Sequence, residues 1–488
     1  MEFTPASHID AAARPAVVTE QALSADTLRR RGAVLAGEAL VDWPALVPNA
    51  RGLVVSGLPG TLVTLDGLRL APAANGFVDL ALLPLAMIDG ARLTAGTNGA
   101  AQGAGSLAGS IDLRMATGEN RLLAGAGGQA GRGIGLVDLR LGGAGWLGGG
   151  FTQGGAVPGP GALAASAQSR WHLAGRFEQT LGQVAIWGRG LFASRRDGAA
   201  RSDWHDAAIG LSGGTRWQWR LAAARGGQDD GTLSSTLAQA RAVVSGATGL
   251  TLPSASEPIS LAAGAEWRRL RLGGAVVRAR ELFAEAAVPL VQDRPAAENL
   301  IATLGVRQAW LAGRSETLWQ AGGRWEAFPG IVLRGQAGRG IDDAARVSGT
   351  SQSVGLIATP AFVPGLALTL DRRWQSAGPA RVQALDISAT WRARVGADAQ
   401  LALTALATHH DRAELTPLPV PRLAGLLRAT LETGPWAVSA GVRHRAGAYG
   451  GVDASLERRI GDRLRLVASV SNAGGAGRQG LLQLIAGF

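Results

Sequence analysis

The residues of this chain that could perform chemistry are few and far apart. The clearest cluster is His409-His410-Asp411, which could bind a metal ion or a metal complex but is more typical of a solvated loop. The other histidines show no metal-ligand spacing: they are His8, His172, His205 and His444. The chain has no cysteine, which excludes thiolate metal sites and disulfide bonds. We therefore predict no metal site.

No enzyme motif joins these residues. Serine, histidine and aspartate all occur, but they form no recognisable nucleophile motif. Gly335–Gly340 is rich in glycine, yet the sequence predicts no helix after it, as a phosphate-binding loop would require. The sequence thus predicts a protein that is not an enzyme, has no catalytic residues and needs no cofactor.

Composition narrows the fold class. Of 488 residues 71 are glycine, about twice the usual ~7% share, and 47% are hydrophobic. This hydrophobic content excludes disorder, and no uninterrupted apolar stretch reaches the ~18 residues of a membrane-spanning helix. These features predict a large, glycine-rich, all-β chain.

The strong positive charge does not predict a nucleic-acid partner. All 48 basic residues are arginine and the net charge is +11, but the arginines are dispersed among apolar residues. A nucleic-acid-binding protein would show a basic stripe with interleaved aromatic residues, or a known module. We interpret the charge as compositional bias and expect no nucleic acid to bind.

Residues 120–488 alternate apolar and polar side chains in short runs, which is the period of a strand with two different faces. In Leu385–Arg394, for example, apolar residues alternate with aspartate, serine, threonine and arginine. We count about 22 such runs, which leaves about 17 residues for each strand and its connection, enough for the ~9–11 of a spanning strand. A soluble β-sandwich also alternates, but it rarely runs to so many strands without a linker. The pattern favours a transmembrane antiparallel β-barrel, apolar outside and polar inside.

Several positions in this barrel can be assigned. Four apolar residues share one face of the last strand, which we expect to meet outer-membrane lipid: Leu482, Leu484, Ala486 and Phe488. A final strand that ends in phenylalanine is also the signal recognised by the barrel-assembly machinery, which makes that machinery an expected partner. Arg463 and Arg465 are expected to face the lumen. We expect long connections at residues 154–168, 225–234 and 409–421, and the 14 tryptophans at the membrane interfaces.

Residues 1–118 have a different pattern and predict a small α+β domain. Ser24 is a candidate N-cap of a short helix, and Asp66-Gly67 is a tight-turn signal between two β-rich runs. The first residues show no basic segment followed by an apolar one. Either the protein is not exported or a signal peptide has been removed, and the barrel pattern favours removal.

The order and spacing of several segments resemble TonB-dependent outer-membrane receptors over nearly the whole chain. In the N-terminal region the resemblance rests on Thr61–Leu70, Asp79–Pro84 and Gly96–Leu113. In the barrel it rests on Ala262–Arg269, Glu281–Leu290 and Val452–Asn472. The chain departs from the family at Thr97, where proline is usual, and at Gln102, where an aromatic residue is usual. No clear TonB box precedes the N-terminal region.

The resemblance implies that residues 1–118 form a plug inside a barrel formed by residues 119–488. The plug motif residues are then Asp66, Gly67, Gly96, Gly103 and Gly109. The plug apices would face outward and supply the candidate ligand-binding residues Pro59, Arg69, Asn75 and Phe77. Arg69 has an equally good structural role, in which it pairs with the barrel wall.

The resemblance also implies a receptor in the outer membrane of a Gram-negative bacterium that imports a scarce nutrient complex. A siderophore, cobalamin, haem or a glycan would fit as the small-molecule or metal-complex ligand. The TonB complex would drive import if a TonB box exists upstream. The first alternative is a receptor-like barrel without TonB coupling that anchors a surface partner protein. The second alternative is a passive porin, which is less favoured because a plug would close its channel.

Overall fold

The computed structural model describes residues 20–24, 33, 35–41, 43–49, 52–73, 76–96, 105–116, 120–129, 132–142, 145–153, 168–197, 200–231, 233–292, 298–311, 313–342, 347–446, 449–471 and 479–487. Among these residues, no helix is both long enough and apolar enough to cross a membrane.

The N-terminal region forms a small mixed domain. Its elements are β1 (Glu20–Ser24), α1 (Ala36–Leu40), β2 (Leu46–Asn49), β3 (Gly52–Val55), β4 (Thr61–Leu65), β5 (Leu68–Arg69), a 3-10 turn (Leu85–Met87), β6 (Ile88–Ala95) and β7 (Gly109–Met115). Five strands form a sheet in the order β1-β6-β7-β4-β5, in which β4 and β7 are parallel. β2 and β3 form a separate hairpin.

Ser24 is the last residue of β1, where it pairs with Gly90 of β6. Its role as the N-cap of a helix stays a prediction, because residues 25–32 lie outside the described residues. The described helix α1 begins later, at Ala36. There the Glu38 carboxylate accepts a hydrogen bond of 3.2 Å from the Leu35 N–H, which satisfies one of the free donors at the helix start.

Twenty-two antiparallel strands then form one closed barrel, as predicted. The barrel closes between its first and last strands, where Arg121 lies opposite Gly487. The strands are β8 (Arg121–Gln129), β9 (Arg132–Gly142), β10 (Gly145–Gln153), β11 (Gln168–Leu181), β12 (Val184–Asp197), β13 (Ala200–Gly213), β14 (Trp217–Asp229), β15 (Ser234–Ala247), β16 (Ser260–Leu272), β17 (Ala275–Val291), β18 (Glu298–Leu311), β19 (Arg314–Phe328), β20 (Ile331–Asp342), β21 (Val347–Ala358), β22 (Leu366–Ala377), β23 (Ala380–Arg394), β24 (Ala399–Glu414), β25 (Leu423–Thr433), β26 (Trp436–Arg445), β27 (Tyr449–Ile460), β28 (Leu464–Ser471) and β29 (Gln479–Gly487).

The even strand number places both ends of the barrel sequence at one rim. We call this rim, where β8 begins and β29 ends, the terminal rim. The opposite rim, which we call the distal rim, carries the turn at Gly273-Gly274 and the loop between β24 and β25.

Alternate residues of each strand face opposite sides of the wall. In β29, Leu482 and Leu484 are 51% and 38% exposed, whereas Leu481 and Ile485 are 4% and 8% exposed. Leu482 and Leu484 therefore lie on the outer face, as the sequence pattern predicted. Phe488 lies outside the described residues.

The inner face carries the polar side chains. Arg465 lies on the inner side of β28, where it approaches Glu457 at 3.8 Å. Arg463 was expected on the same face, but it precedes β28 and is exposed in the turn that connects β27 to β28. A turn residue takes no part in the strand alternation, which explains the difference.

The tryptophans divide between the two faces. Trp267 and Trp436 are exposed on the outer wall, as expected of residues at a membrane interface. The expectation that all of them lie there is wrong, because Trp146, Trp187 and Trp204 are at most 5% exposed and point inward. Strand parity, rather than residue type, decides which side of the wall a tryptophan occupies.

Two of the three expected long connections are shorter than predicted. β14 continues to Asp229 and β15 begins at Ser234, so most of the predicted connection at 225–234 is strand. β24 continues to Glu414, which places His409–Asp411 in a strand instead of a loop. Backbone pairing extends both strands: β14 pairs with β15 through Asp229, and β24 pairs with β23 through Glu414, across a β-bulge at Asp411. Residues 154–167 lie outside the described residues.

The core of the N-terminal domain continues into the barrel wall. Leu40, Trp43 and Leu65 are at most 1% exposed, and they belong to one apolar cluster with Trp146 and Trp204 of the barrel. Burying an apolar side chain of this size stabilises a fold by about 1.5–3 kcal/mol. The shared core therefore holds the domain inside the barrel.

We predict that Leu484→Arg destabilises the barrel in lipid by ~2–4 kcal/mol if residue 484 is near the bilayer midplane, and by less near an interface, because the charge enters hydrocarbon. Arg465→Leu, on the inner face, serves as the control and should cost less. The measurement is a denaturant titration of folding in lipid vesicles. A penalty for Arg465→Leu alone would mean that the two faces are reversed.

Candidate functional site

The turn at Asp66-Gly67 is the most constrained contact point between the N-terminal domain and the wall. β4 and β5 pair from Leu65 to Leu68, which leaves a two-residue turn with φ of 49° at Asp66 and 74° at Gly67. Two successive positive φ angles are those of a type I′ hairpin turn, for which Asp-Gly is a preferred sequence. The sequence predicted this turn correctly.

Four inward-facing arginines of the wall surround the turn, and we call them the arginine cage: Arg176, Arg189, Arg220 and Arg241. Arg176 and Arg189 lie 3.4 and 3.3 Å from Oδ2 of Asp66. The other two donate to main-chain carbonyls, Arg220 to Asp66 at 3.0 Å and Arg241 to Gly67 at 3.3 Å. Arg189 also donates to the carbonyl of Leu65. Side chains from four strands of the barrel thus bind the turn.

The charges in the cage are compensated. Asp66 is 1% exposed, and its second oxygen accepts a hydrogen bond of 3.0 Å from the Met115 N–H. Asp206 lies 3.0 Å from Arg189, and Glu178 lies 3.0 Å from Arg176. Removing one partner of a buried ion pair leaves an uncompensated charge and typically costs about 3–5 kcal/mol. Asp66 is the acidic group of the N-terminal domain in this network, so the network joins the two parts of the chain.

Arg69 belongs to a second buried network, immediately after the turn. Its Nε lies 3.5 Å from Glu266 of the wall, which also lies 3.0 Å from Arg268 and 3.6 Å from Arg307. The main chain of Arg69 is held by Gln239, whose amide donates to the Arg69 carbonyl at 2.7 Å. The structure therefore places Arg69 in the wall-pairing role.

Arg69 also borders a small cavity between the domain and the wall, lined by residues that include Gly60, Phe77 and Asp342. The cavity volume is about 80 Å³. Sites for small molecules usually measure about 300–1,000 Å³. The cavity is therefore smaller than the usual site for a small molecule.

The candidate apices lie toward the distal rim. Pro59 is half-buried and lies beside Gly60, which borders the cavity. After β5 the chain reaches the start of β15, where the Ser235 hydroxyl donates to the carbonyl of Pro72. Phe77 is half-buried in this loop. The structure thus groups Pro59 and Phe77 near one cavity, while Asn75 lies outside the described residues.

Two of the glycine motif positions make close contacts. A Cβ atom at Gly96 would lie 2.9 Å from Oγ of Ser351 in the wall. A Cβ atom at Gly109 would lie 2.3 Å from the carbonyl oxygen of Thr94. The close atom at Gly109 is a backbone oxygen, so that position needs a residue without a side chain. The close atom at Gly96 is a side-chain hydroxyl, which can rotate away, and Gly103 lies outside the described residues.

Further wall side chains bind the backbone of the domain. Arg445 donates to the carbonyls of Val41 at 2.7 Å and Trp43 at 3.1 Å. Gln375 donates to the carbonyl of Ala108 at 2.8 Å, and the Trp146 indole donates to that of Ala116 at 2.7 Å. These interactions use the backbone of the domain, so the sequence of the domain gives little signal for them. The sequence signal for these contacts is in the barrel strands, where single polar residues occupy inward-facing positions.

His409 and His410 do not form a metal site. His410 faces inward and shares a hydrogen bond of 2.8 Å with the carbonyl of Pro421, whereas His409 lies 3.0 Å from Asp411 on the outer side. Successive side chains of a strand point to opposite faces, which separates the two imidazoles. Within the described residues, no group of three or more histidine, aspartate or glutamate side chains could hold a metal ion.

Both the N-terminal domain and the barrel are similar to known proteins. A sequence profile described as the TonB-dependent Receptor Plug Domain matches residues 10–110. No curated protein matches the chain.

Solved structures match over nearly the whole length. The siderophore receptor PirA from Pseudomonas aeruginosa is 13% identical, with a TM-score of 0.71 over 96% of this chain and 99% of that chain. A ferric enterobactin receptor (PfeA) variant from the same organism, solved with enterobactin, is 11% identical, with a TM-score of 0.75 over 96% and 99%. The alcaligin outer-membrane receptor FauA from Bordetella pertussis is 14% identical, with a TM-score of 0.72 over 97% and 95%. The chain therefore combines a TonB-dependent receptor plug domain with a 22-stranded barrel, and it has the fold of the TonB-dependent receptors.

Proposed function

We propose that this protein imports a scarce nutrient complex across the outer membrane of a Gram-negative bacterium, with a ferric siderophore as the ligand. The observation that carries the proposal is a plug domain held inside a closed barrel by the arginine cage. A barrel of this size is too wide to be filled by its own side chains. The plug closes the lumen at rest, so passage of a ligand requires the plug to move.

The proposed domain division is residues 1–118 for the plug and 119–488 for the barrel. It is supported by β7 ending at Met115 and β8 beginning at Arg121. The terminal rim then faces the periplasm and the distal rim faces the cell exterior, as both ends of a bacterial outer-membrane barrel lie on the periplasmic side. Phe488 is the proposed signal for the barrel-assembly machinery.

We propose the ligand class from the names of the similar solved structures and from the position of the plug apices. The names of the similar structures describe receptors for siderophores, including enterobactin and alcaligin. Pro59, Asn75 and Phe77 are the residues that we propose for ligand contact. Arg69 then acts below the ligand, since its main chain and its guanidinium are both engaged by the wall. Cobalamin, haem and glycans are the other ligand classes to be tested.

Import should depend on the TonB complex, which would act through a segment upstream of the described plug. The test is uptake of radiolabelled iron from ferric enterobactin, ferric alcaligin and haem by cells that carry the full-length protein, with and without TonB. We expect uptake of one ferric siderophore only when TonB is present. Equal uptake without TonB would contradict active import and indicate a pore. No uptake of these ligands or of cobalamin and glycans, with a surface protein that co-purifies, would favour the anchor function.

We predict that Asp66→Asn loosens the plug. The change removes the plug carboxylate that compensates Arg176 and Arg189, so about 3–5 kcal/mol of plug attachment should be lost. The measurement is ion conductance of the purified protein in planar lipid bilayers, where the variant should show open-channel events that the parent protein does not.

The matched control for this measurement is Asp453→Asn. Asp453 is also buried, at 7% exposure, and it pairs with Arg443 of the neighbouring barrel strand at 2.7 Å. This variant should weaken the wall locally without opening the lumen. Equal conductance from both variants, or from neither, would contradict the role assigned to the cage.

A further inference from the structure

Five outward-facing arginines lie on the outer wall near the distal rim. They belong to β14, β16 and β17, and we call them the arginine patch: Arg225, Arg269, Arg271, Arg278 and Arg280. All five are exposed, and none of them makes an ion pair or a side-chain hydrogen bond within the part of the chain that the structure describes. The patch is distinct from the arginine cage, which lies on the other side of the wall.

Strand register brings these charges together. Arg269 of β16 lies directly opposite Arg278 of β17. Arg225 lies in the same row across the sheet, separated from Arg269 only by Ala238 of β15. Like charges directly opposite one another destabilise a sheet. The outward positions of β15, β16 and β17 carry no aspartate or glutamate, so the repulsion is not offset from these strands.

Three other outward arginines near this rim have acidic partners. Arg201 lies 2.9 Å from Asp203, and Arg339 lies 2.8 Å from Glu316. Arg372 pairs with Asp411, the residue beside His410. Across β14–β17 the outward face thus carries five arginines against one carboxylate, Asp229 at the distal end of β14. This excess of positive charge is the electrostatic character of an anion site.

An apolar groove of about 1,070 Å³ adjoins the patch on its terminal-rim side. Its floor consists of small residues from three neighbouring strands: Ala223, Ala240, Ala242 and Ala265. Larger apolar side chains border it: Ile209, Leu211, Leu221, Trp267, Leu282 and Trp310. Arg280 lines both the groove and the patch, opposite Trp267 on one side and Trp310 on the other. Charge and groove therefore form one continuous surface.

We propose that the arginine patch and this groove bind a phosphorylated glycolipid of the outer leaflet. Arginine matches phosphate with paired, charge-assisted hydrogen bonds. The row from Arg225 to Arg278 crosses three strand spacings, about 14 Å, which suits a headgroup with more than one phosphate. The acyl chains lie in the groove below it. The two tryptophans mark the boundary between headgroup and acyl chains, where their amphipathic rings are favoured.

The test measures retention of lipid A by the full-length protein in phosphatidylcholine nanodiscs. The probes are bisphosphorylated hexa-acyl lipid A, the same lipid without phosphates, and inorganic pyrophosphate. We expect Arg269→Gln with Arg278→Gln to weaken binding of the bisphosphorylated lipid by about tenfold or more, since hydrogen bonds to charged groups are lost. Ala240→Trp should weaken binding of the lipid by filling the groove.

The matched control is Arg372→Gln with Arg381→Gln. These two outward arginines lie near the same rim, but Arg372 pairs with Asp411 and Arg381 lies opposite Glu414. This control should bind the lipid within about twofold of the parent protein, which is less than the effect of one such hydrogen bond. Equal losses in both double variants would overturn the proposal. Equal retention of the lipid without phosphates, or equally tight binding of pyrophosphate, would also overturn it.

Discussion

The closed barrel imposes one constraint on everything inside it, namely that buried charge must be compensated within the wall or by the plug. Twenty-two strands enclose more space than their own side chains can fill, so a separate domain must occupy the lumen. The inner wall is rich in arginine, and its guanidinium groups need acceptors once water is displaced. Wall carboxylates such as Asp206 supply some of these acceptors, and Asp66 with the backbone carbonyls around it supplies others at the turn of the plug.

The plug and the wall are joined by hydrogen bonds and by apolar packing, and these two kinds of contact resist movement of the plug differently. Many of the contacts are hydrogen bonds from wall side chains to plug carbonyls, as at Arg445 and Gln375. Each such bond contributes about 0.5–3 kcal/mol, depending on its charge, and water can replace it once the plug shifts. The apolar cluster around Trp43 resists movement differently, because its separation exposes apolar surface. A pulling force would thus break polar contacts one after another, and the cluster around Trp43 would fix where the plug is most firmly held.

The sequence was sufficient for the architecture but not for the contacts inside it. The period of alternation gave the strand number and the two faces, and Asp66-Gly67 gave its turn, because both depend on local geometry. The partners of Asp66 depend on how the plug is rotated within the barrel, and no local pattern encodes that rotation. The same limit explains Trp146, Trp187 and Trp204, whose large apolar rings are typical of an interface but whose strand parity turns them inward. The polarity of His409–Asp411 predicts a loop, whereas pairing with β23 continues the strand past it to Glu414.

We infer that the plug must separate from the wall for a ligand to pass, and a reversible covalent link between the two would prevent this. A Cβ atom at Gly96 would lie 4.0 Å from Cβ of Ser351, within the ~3.5–4.5 Å range of a disulfide. The chain has no cysteine of its own, so Gly96→Cys with Ser351→Cys creates one defined bond between plug and wall. The measurement is iron uptake by cells that carry this double variant, before and after reduction, with each single variant as a control. We expect uptake to be blocked in the oxidised double variant alone and to return on reduction. Undiminished uptake with the disulfide fully formed would contradict it.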